Sequence, residues 1–375
     1  MKQTSRWLTF CFIALIAWLS IFNLFRSDVT FSEQENRYLA QKPTLTFQSV
    51  MNGTYMKDFE TYVSEQFIGK NIWVTIKANM EKLLFKQETE DVYIGDDDYL
   101  FEKFSYPGEK WERNLQFVEE FSKGRSVHVL LAPTSSAIYK EKLPTFAPIY
   151  SQKQLLEDAV EKLHGSVDVI DVFAALEKHK DESIYFRTDH HWTMRGAYYA
   201  YVQVAKSLDI TPYPIDAFEK TMVSDEFLGT YASKALGYHV QADEVELFTP
   251  TFPVQYMMRY NDEEKSQDSL YNWDALQVRD KYRFFLGANE PLVNIQSDVA
   301  SSRKLAVIKD SYAHVMIPFL ANHYSEIHMI DLRYFGVNIQ TYLDENDLDE
   351  VLILYNIPNF TKDAQLFWLK TVSKN

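Results

Sequence analysis

The sequence predicts an α/β domain with a parallel sheet and helices on both of its faces, preceded by an N-terminal transmembrane helix. Strand and helix patterns alternate from about residue 109, and the alternation resumes near residue 304. Alternation of this kind is typical of parallel sheets that helices cover. A long apolar run close to the N-terminus predicts the membrane-spanning helix.

The apolar run covers residues 7–25 and is interrupted only by Thr9, Ser20 and Asn23. Its length is close to the roughly 20 residues that cross a bilayer core as a helix. Basic residues precede the run and mostly acidic residues follow it, which places the N-terminus in the cytoplasm. The run is too long for a signal peptide and lacks a small-residue cleavage site, so we predict an uncleaved anchor.

The elements after the anchor follow from apolar spacing and from glycine and proline positions. Residues 55–85 have helical spacing, and residues 92–101 have the pattern of a hairpin. The predicted α/β strands cover about residues 126–132, 167–172, 305–308, 326–330 and 350–355. The predicted helices cover about residues 109–123, 151–163, 171–178, 196–208, 313–321 and 339–345.

The segment 211–300 is less regular, and we interpret it as an insert. We therefore expect a cytoplasmic stub and anchor in residues 1–28 and one domain in residues 29–375 that the insert divides. A chain of 375 residues with 46% hydrophobic residues is long enough to bury a large core.

Composition excludes several classes of function. The formal net charge of −15 argues against nucleic acid as a partner and against adhesion of the whole surface to an anionic membrane. Cys11 is the only cysteine and lies inside the apolar run, which excludes disulfides and cysteine-based metal sites from the rest of the chain.

Two motifs far apart in the chain offer the parts of a serine acyl-transfer site. Asp189 and His191 lie two residues apart, so in an extended turn the carboxylate can orient the imidazole. Ser311 follows the apolar strand at 305–308 and precedes a predicted helix, where its hydroxyl can stand exposed. A serine nucleophile needs a base and an acid that holds the tautomer of the base. We predict Ser311 as nucleophile, His191 as base and Asp189 as the partner of the base.

Neighbouring strands supply candidates for substrate or oxyanion binding. Ligands of open α/β sheets bind beyond the carboxyl ends of the strands. The next two predicted strands end close to Arg333 and Asn356. We expect the backbone N–H of Ser311 to be the first oxyanion donor, with Arg333 and Asn356 as the next candidates.

Each of these residues also has a structural interpretation. A serine after a strand is often a helix N-cap, and Asp189 or Asp310 can cap the helix that follows it. Arg333 can form only a salt bridge with Asp331, and Asn356 can form only a turn. The two motifs together favour the catalytic interpretation over these separate structural roles.

A metal site is a further alternative for Asp189, His190 and His191, as in phosphoesterases with an Asp-His-His signature. Such sites need additional carboxylates or histidines at ligand spacing. The sequence shows no such cluster and no nucleotide or acetyl-CoA pattern. We therefore expect neither a metal nor a cofactor.

Several short motifs resemble those of one bacterial family. Asp189-His190-His191-Trp192 is the tetrapeptide for which the DHHW proteins are named, and the resemblance covers nearly the whole chain after the anchor. Further landmarks are Glu35-Asn36-Arg37, Val92-Tyr93-Ile94-Gly95, Ala132-Pro133-Thr134 and Asp331-Leu332-Arg333-Tyr334. DHHW proteins are similar to the SGNH-hydrolase-like O-acetyltransferases that modify alginate and Gram-positive wall polysaccharides.

The resemblance implies a permuted SGNH-hydrolase-like domain, in which the Asp-x-His motif precedes the serine motif. It assigns Ser311, His191 and Asp189 to the same roles that the residues themselves suggest. The serine motif departs from the usual Gly-Asp-Ser, because Lys309 stands in place of the glycine.

The resemblance also implies a membrane-anchored extracytoplasmic O-acetyltransferase that carries acetyl on Ser311 to hydroxyls of a cell-surface or wall polysaccharide. The implied partners are the polysaccharide acceptor and a membrane-bound O-acyltransferase that supplies acetyl. The alternatives are a carbohydrate acetylesterase, which uses the same triad with water as acceptor, and a non-catalytic polysaccharide-binding or assembly protein.

Overall fold

The computed structural model describes residues 2–32, 35, 37–89, 92–261 and 266–370. Among the family landmarks in the sequence, Asn36 lies outside the described residues. The chain divides into two compact units, of which the first comprises Met1–Lys86 and Ala232–His239. The second comprises Gln87–Tyr231 and Val240–Asn375.

The first unit consists mainly of helices. Its elements are α1 (Lys2–Phe25), β1 (Phe31–Ser32), β2 (Arg37–Tyr38), α2 (Phe47–Met51), α3 (Thr54–Glu65) and α4 (Lys70–Leu83). Within α1, the window Arg6–Asn23 has a mean hydropathy of 1.6 and is not buried. The predicted N-terminal apolar helix is therefore confirmed, and its length and composition are compatible with a membrane span.

The second unit contains a small antiparallel meander and a large sheet. The meander is formed by β3 (Glu88–Thr89), β4 (Val92–Ile94) and β5 (Leu100–Glu102). The later strands are β6 (Ser126–Ala132), β7 (Asp168–Val169), β8 (Phe218–Phe227), β9 (Asp243–Pro250), β10 (Tyr256–Tyr260), β11 (Ser266–Gln267), β12 (Leu292–Ser297), β13 (Lys304–Lys309), β14 (Glu326–Ile330) and β15 (Glu350–Asn356).

Helices connect most of these strands. They are α5 (Glu109–Phe121), α6 (Ser135–Ile138), α7 (Gln152–Leu163), α8 (Phe173–Lys178), α9 (Met194–Ser207), α10 (Thr230–Lys234), α11 (Ala313–Leu320), α12 (Ile339–Glu345) and α13 (Ile357–Lys362).

Within the described residues, the main sheet has eight strands in the order β11-β10-β12-β14-β13-β15-β6-β7. The five strands from β14 to β7 are parallel, as predicted. The strands β12, β10 and β11 extend the sheet by antiparallel pairs. All three belong to the segment 211–300, whose sequence pattern is too irregular to predict that it joins the sheet. The sheet is therefore mostly parallel with an antiparallel edge.

The central strands β13, β15 and β6 are buried along almost their whole length, because helices cover both faces of the sheet. The helix α11 joins β13 to β14, and α12 leads back across β13 to β15. Right-handed crossovers in opposite directions place these two helices on opposite faces. This topology puts the carboxyl end of β13 in the middle of one rim of the sheet.

Candidate active site

The strand β13 ends at Lys309, and Ser311 lies in the turn between β13 and α11. The carboxyl ends of β14, β15 and β6 lie on the same rim, because these strands run parallel to β13. Asp310 and Tyr312 are buried, whereas Ser311 is partly exposed. The turn thus presents the serine at the edge where open α/β sheets bind their ligands.

Asp189 and His191 lie in a tight loop just before α9. An antiparallel bridge between Tyr185 and Trp192 closes the loop. The Nε1–H of Trp192 donates a hydrogen bond to the carbonyl oxygen of Tyr312 at 3.0 Å. We call residues 185–192 the histidine loop and residues 310–312 the serine turn. The contact joins the two, and it brings together motifs that are 120 residues apart in the chain.

Asp189, His191 and Ser311 form a continuous hydrogen-bonded chain. The Nδ1–H of His191 donates to Asp189 Oδ1 at 2.5 Å, and the backbone N–H of His191 donates to the same oxygen at 3.1 Å. The Oγ of Ser311 lies 2.7 Å from His191 Nε2. Because Nδ1 carries its proton toward the carboxylate, Nε2 is free to accept the serine proton. This geometry suits nucleophilic catalysis by the serine.

Burial and neighbouring charges determine the protonation states of Asp189 and His191. Burial by itself raises the pKa of Asp189, but the charges of His190 and His191 and the hydrogen bonds outweigh it and hold that pKa well below its usual range. Burial lowers the pKa of His191 to about 4, and His190 adds to this shift while Asp189 opposes it. At neutral pH the carboxylate is therefore ionised and the imidazole is neutral, which is the state that a general base needs.

The second carboxylate oxygen of Asp189 is held by the segment that follows β8. The backbone N–H and Oγ1 of Thr230 donate to Asp189 Oδ2 at 2.8 and 3.0 Å. Gly229 passes so close that a Cβ atom at this position would overlap the Asp189 carboxylate. Sequence reasoning missed both residues, because they lie in the irregular segment 211–300 and no motif marks them.

Tyr282, from the same segment, packs directly on the catalytic candidates. Its ring stacks on His191 with centroids 3.5 Å apart and planes inclined by 6°. Its hydroxyl donates to the carbonyl oxygen of Ser311 at 2.9 Å. One side chain thus supports both the imidazole and the serine turn. The sequence carries no local signal for this contact.

Asp310 ties the serine turn to the end of β15. Its Oδ1 accepts from the backbone N–H of Tyr312 at 2.9 Å. Its Oδ2 accepts from the backbone N–H and Nδ2 of Asn356, at 3.0 and 2.8 Å, and from Nδ2 of Asn359 at 2.9 Å. The Oδ1 of Asn356 accepts from the backbone N–H of Asn359 at 2.8 Å and caps α13. The structure therefore brings Asn356 to the serine turn, with these hydrogen bonds to Asp310 and to the helix end.

Arg333 and Lys309 share one buried carboxylate. The guanidinium of Arg333 donates to Asp331 through Nε at 2.8 Å and Nη2 at 2.5 Å. The ammonium of Lys309 lies 3.3 Å from Asp331 Oδ2 and donates to His314 Nε2 at 2.8 Å. Burial lowers the pKa of Lys309 to about 8, with Asp331 opposing the shift. The lysine in place of the motif glycine is thus a buried, hydrogen-bonded group two residues before Ser311.

The backbone N–H of Ser311 has no hydrogen-bond partner in the part of the chain that the structure describes. A free N–H next to a serine nucleophile is a donor for negative charge that develops on a carbonyl oxygen. The other predicted candidates, Arg333 and Asn356, lie at the carboxyl ends of the flanking strands.

Asp189, His190 and His191 also bring three potential metal ligands within 4.8 Å of one another. The Nδ1 of His190 lies 2.8 Å from Thr230 Oγ1 and 3.5 Å from Asp189 Oδ1. A metal at His191 Nδ1 would replace the hydrogen bond to Asp189. Two of the three potential ligand atoms, Asp189 Oδ1 and His191 Nδ1, are thus already paired by a hydrogen bond.

The chain is similar to proteins of one bacterial family. The family model described as DHHW protein matches residues 93–330. The probable alginate O-acetylase AlgJ of Pseudomonas fluorescens is 27% identical over 179 residues, which are 44% of this chain and 45% of that protein. The corresponding protein of Pseudomonas aeruginosa is 27% identical over 159 residues, 40% of this chain and 41% of that protein. The similarity thus spans less than half the length of these curated relatives.

Solved structures share the fold. A DHHW family protein from Eubacterium siraeum has a TM-score of 0.64 at 23% identity, covering 74% of this chain and 93% of that one. Bacillus cereus PatB1, in a structure with a sulfonyl adduct, has a TM-score of 0.63 at 20% identity, covering 75% of this chain and 98% of that one. The predicted α/β fold with a largely parallel sheet is confirmed, and these solved structures share it.

Proposed function

The chain belongs to the DHHW protein family, whose model matches more than half of its length, and we propose that it is an O-acetyltransferase that works through an acyl-Ser311 intermediate. The observation that carries the proposal is the hydrogen-bonded chain from Asp189 through His191 to Ser311. Such a series of hydrogen bonds activates a serine for acyl transfer. The relatives named as alginate O-acetylases support acetyl as the group and a polysaccharide as the acceptor.

In the first half-reaction, His191 Nε2 takes the proton of Ser311 Oγ while the oxygen attacks the acetyl carbonyl carbon of the donor. The tetrahedral intermediate collapses when the bond to the leaving group breaks, and His191 returns the proton to that group. The product is acetyl-Ser311. Asp189 stays ionised throughout and stabilises the transient imidazolium.

In the second half-reaction, a hydroxyl of the polysaccharide takes the place of the leaving group. Its oxygen attacks the carbonyl carbon of acetyl-Ser311 while His191 accepts the hydroxyl proton. Breaking of the bond to Ser311 Oγ then releases the acetylated sugar, and His191 gives its proton back to the serine.

Negative charge on the carbonyl oxygen must be stabilised in both half-reactions. We assign this role first to the backbone N–H of Ser311, which has no partner among the described residues. Arg333 and Asn356 remain the next candidates for oxyanion or substrate binding. The side chain of Arg333 is partly exposed beside its pair with Asp331, so it can also contact a bound ligand.

We further propose that α1 anchors the protein in the cell membrane, with its N-terminus in the cytoplasm and residues 29–375 outside. The length, hydropathy and flanking charges of α1 support this arrangement. A membrane-bound O-acyltransferase would supply acetyl, and a cell-surface or wall polysaccharide would accept it.

The test uses the full chain in detergent micelles with an activated acetyl ester. Release of the leaving group is followed together with the intact mass of the protein, which rises by one acetyl group if acetyl-Ser311 forms. Ser311→Ala and His191→Ala are compared with His164→Ala, which changes an exposed histidine after α7. We expect turnover and adduct in wild type and His164→Ala, and neither in the other two variants.

Added oligosaccharide then separates the activities that share this triad. Acetyl transfer to sugar hydroxyls supports the transferase, whereas release of acetate alone supports an acetylesterase. A folded wild-type protein without turnover or adduct would contradict both and favour a non-catalytic binding protein.

A further inference from the structure

The helix α4 and the residues directly after it expose a row of apolar side chains. The α4 stripe consists of Ile72, Trp73, Ile76, Met80, Leu83, Leu84 and Phe85. Its members are 44% to 91% exposed. Those within the helix recur mainly at intervals of three and four residues and so share one face. A contiguous exposed apolar surface of this kind marks an interaction site.

The opposite face of α4 is already used for packing within the first unit. Ala78 is buried there, and the backbone of Gly237 lies against it. A Cβ atom at Gly237 would come within 2.7 Å of the Ala78 Cβ and 2.8 Å of the Thr75 Cα. A surface helix of a water-soluble protein needs one apolar face, toward the core. The α4 stripe instead lies on the side of α4 that points away from this contact.

Hydrogen bonds hold the start of α4 at the end of the apolar helix α1. The backbone N–H of Ile68 donates to Asn23 Oδ1 at 2.9 Å, and Asn23 is the last residue of the window Arg6–Asn23 that can cross a membrane. Just before Ile68, Gln66 exchanges two hydrogen bonds with the backbone of Val29, at 3.0 and 2.8 Å. If α1 spans the membrane, α4 therefore begins at the membrane surface.

The segment that carries the α4 stripe has a net charge opposite in sign to that of the whole protein. Residues 70–86 contain four lysines and one glutamate, a net charge of +3 in a chain of −15. Among the described residues, Lys77 and Lys82 form no salt bridge, so their charges are available to a partner. An amphipathic helix with lysines on its polar side and Trp, Leu and Phe on its apolar side is typical of a segment that lies in the interface of an anionic bilayer.

We propose that α4 lies in the outer interface of the membrane that α1 spans, with the α4 stripe in the lipid and its lysines toward anionic headgroups. This inference rests on the proposed anchoring of α1. The electrostatic attraction to anionic lipids comes from the lysines of α4 and of the residues after it. The net negative charge of the protein is carried by the rest of the chain. The 14 residues of α4 extend about 21 Å along the membrane surface.

The experiment uses the full chain in vesicles of phosphatidylcholine and phosphatidylglycerol, with an environment-sensitive fluorophore on one cysteine at a time. The native Cys11 reports on α1. Met80→Cys, made with Cys11→Ser, reports on the α4 stripe. The matched control is Asn71→Cys in the same background, because Asn71 is exposed but lies seven residues before Ala78, on the packed side of α4.

Lipids that carry a quencher near the headgroup are then added. We expect the label at residue 80 to lose roughly half of its fluorescence, and the label at residue 71 several-fold less, because interfacial helices bury their apolar side about 5–10 Å deep. Circular dichroism checks that each labelled protein is folded. Lipids quenched in the middle of the bilayer report separately on Cys11.

Quenching at Cys11 without quenching at residue 80 would overturn the inference while the anchor stands, and would favour a protein partner for the α4 stripe. Equal quenching at residues 71 and 80 would also overturn it. Absence of quenching at both Cys11 and residue 80 would overturn the inference together with the anchor. Quenching at residue 80 alone would support the lipid contact and contradict the anchor.

Discussion

At the residue scale, His191 lies between groups that act on its protonation in opposite directions. Burial and His190 favour the neutral ring, and the Asp189 carboxylate favours the charged ring. Burial prevails, and the hydrogen bond from Nδ1 to Asp189 leaves Nε2 as the acceptor for Ser311. This balance leads to one prediction about the tautomer of His191 and another about the pH dependence of the activity.

The first concerns the tautomer of His191. In Asp189→Asn, the new amide can donate to Nδ1, which would move the ring proton to Nε2 and remove the acceptor for Ser311. We expect kcat/KM for the acetyl ester to fall by about 10³ to 10⁴ while circular dichroism stays unchanged. A loss smaller than about tenfold would contradict the role proposed for Asp189.

The second concerns pH. The pKa of His191 is lowered to about 4, so the neutral base is present above that pH and is lost as pH falls through it. We expect kcat/KM to stay level from pH 7 to about pH 5 and to decline near pH 4, rather than near the usual histidine pKa of about 6.5. Stability measured over the same range separates titration from acid unfolding. An acid limb near pH 6.5 would contradict the burial argument.

At the scale of elements, the site is assembled from the turn after β13, the loop before α9 and two parts of the segment 211–300. Thr230 holds the carboxylate of Asp189, and Tyr282 stacks on His191 and reaches the carbonyl oxygen of Ser311. The same segment adds the antiparallel edge strands to the sheet. It therefore supports both the sheet and the positions of the triad candidates.

Replacement of Gly229 tests how closely the segment 211–300 packs against the loop that carries Asp189. In Gly229→Ala, the new Cβ meets the Asp189 carboxylate, so the loop must shift. We expect a loss of about 1–3 kcal/mol in the free energy of unfolding and a loss of turnover. The matched control is Gly336→Ala, since a Cβ there has no atom within 4 Å. The unfolding free energy of Gly336→Ala should stay within about 0.5 kcal/mol of wild type. Equal effects of the two substitutions would contradict the close packing of Gly229 against Asp189.

At the scale of the whole molecule, the chain combines an α/β unit that carries the triad candidates with a first unit that carries α1 and the α4 stripe. The two units differ in the surface that they present. The central strands of the second unit are buried, whereas the first unit exposes the apolar side chains of α1 and of the α4 stripe. This difference supports the proposal of a catalytic domain that is joined to a membrane-associated segment.

Removal of residues 2–25 tests the anchor in cells. The full chain should remain with the membranes in high salt and require detergent for extraction, because a span of about 20 apolar residues inserts stably. The shortened chain should be released at least in part by high salt, since a single interfacial helix binds reversibly and partly through charge. Release of the full chain by salt alone would contradict the anchor.

Local patterns in the sequence predict most of the helices and strands and indicate which residues can carry chemistry. The apolar run predicts α1, and the alternation of strands and helices predicts the parallel half of the sheet, because both signals are local in the chain. The pair of Asp189 and His191 and the strand-to-helix position of Ser311 follow from equally local patterns. The juxtaposition of the three residues is present in the structure, and their catalytic roles remain the proposal to be tested.

The other residues that contact the triad candidates are seen only in the folded chain. Thr230, Gly229 and Tyr282 contact Asp189, His191 or Ser311 from 29 or more positions away in the chain, and no periodicity in the segment 211–300 marks them. The same holds for the buried network of Lys309, which links β13 to β14 and α11. Contacts of this kind depend on how whole helices and strands pack against one another. A local sequence pattern indicates that a side chain is buried, but it does not indicate which residue buries it.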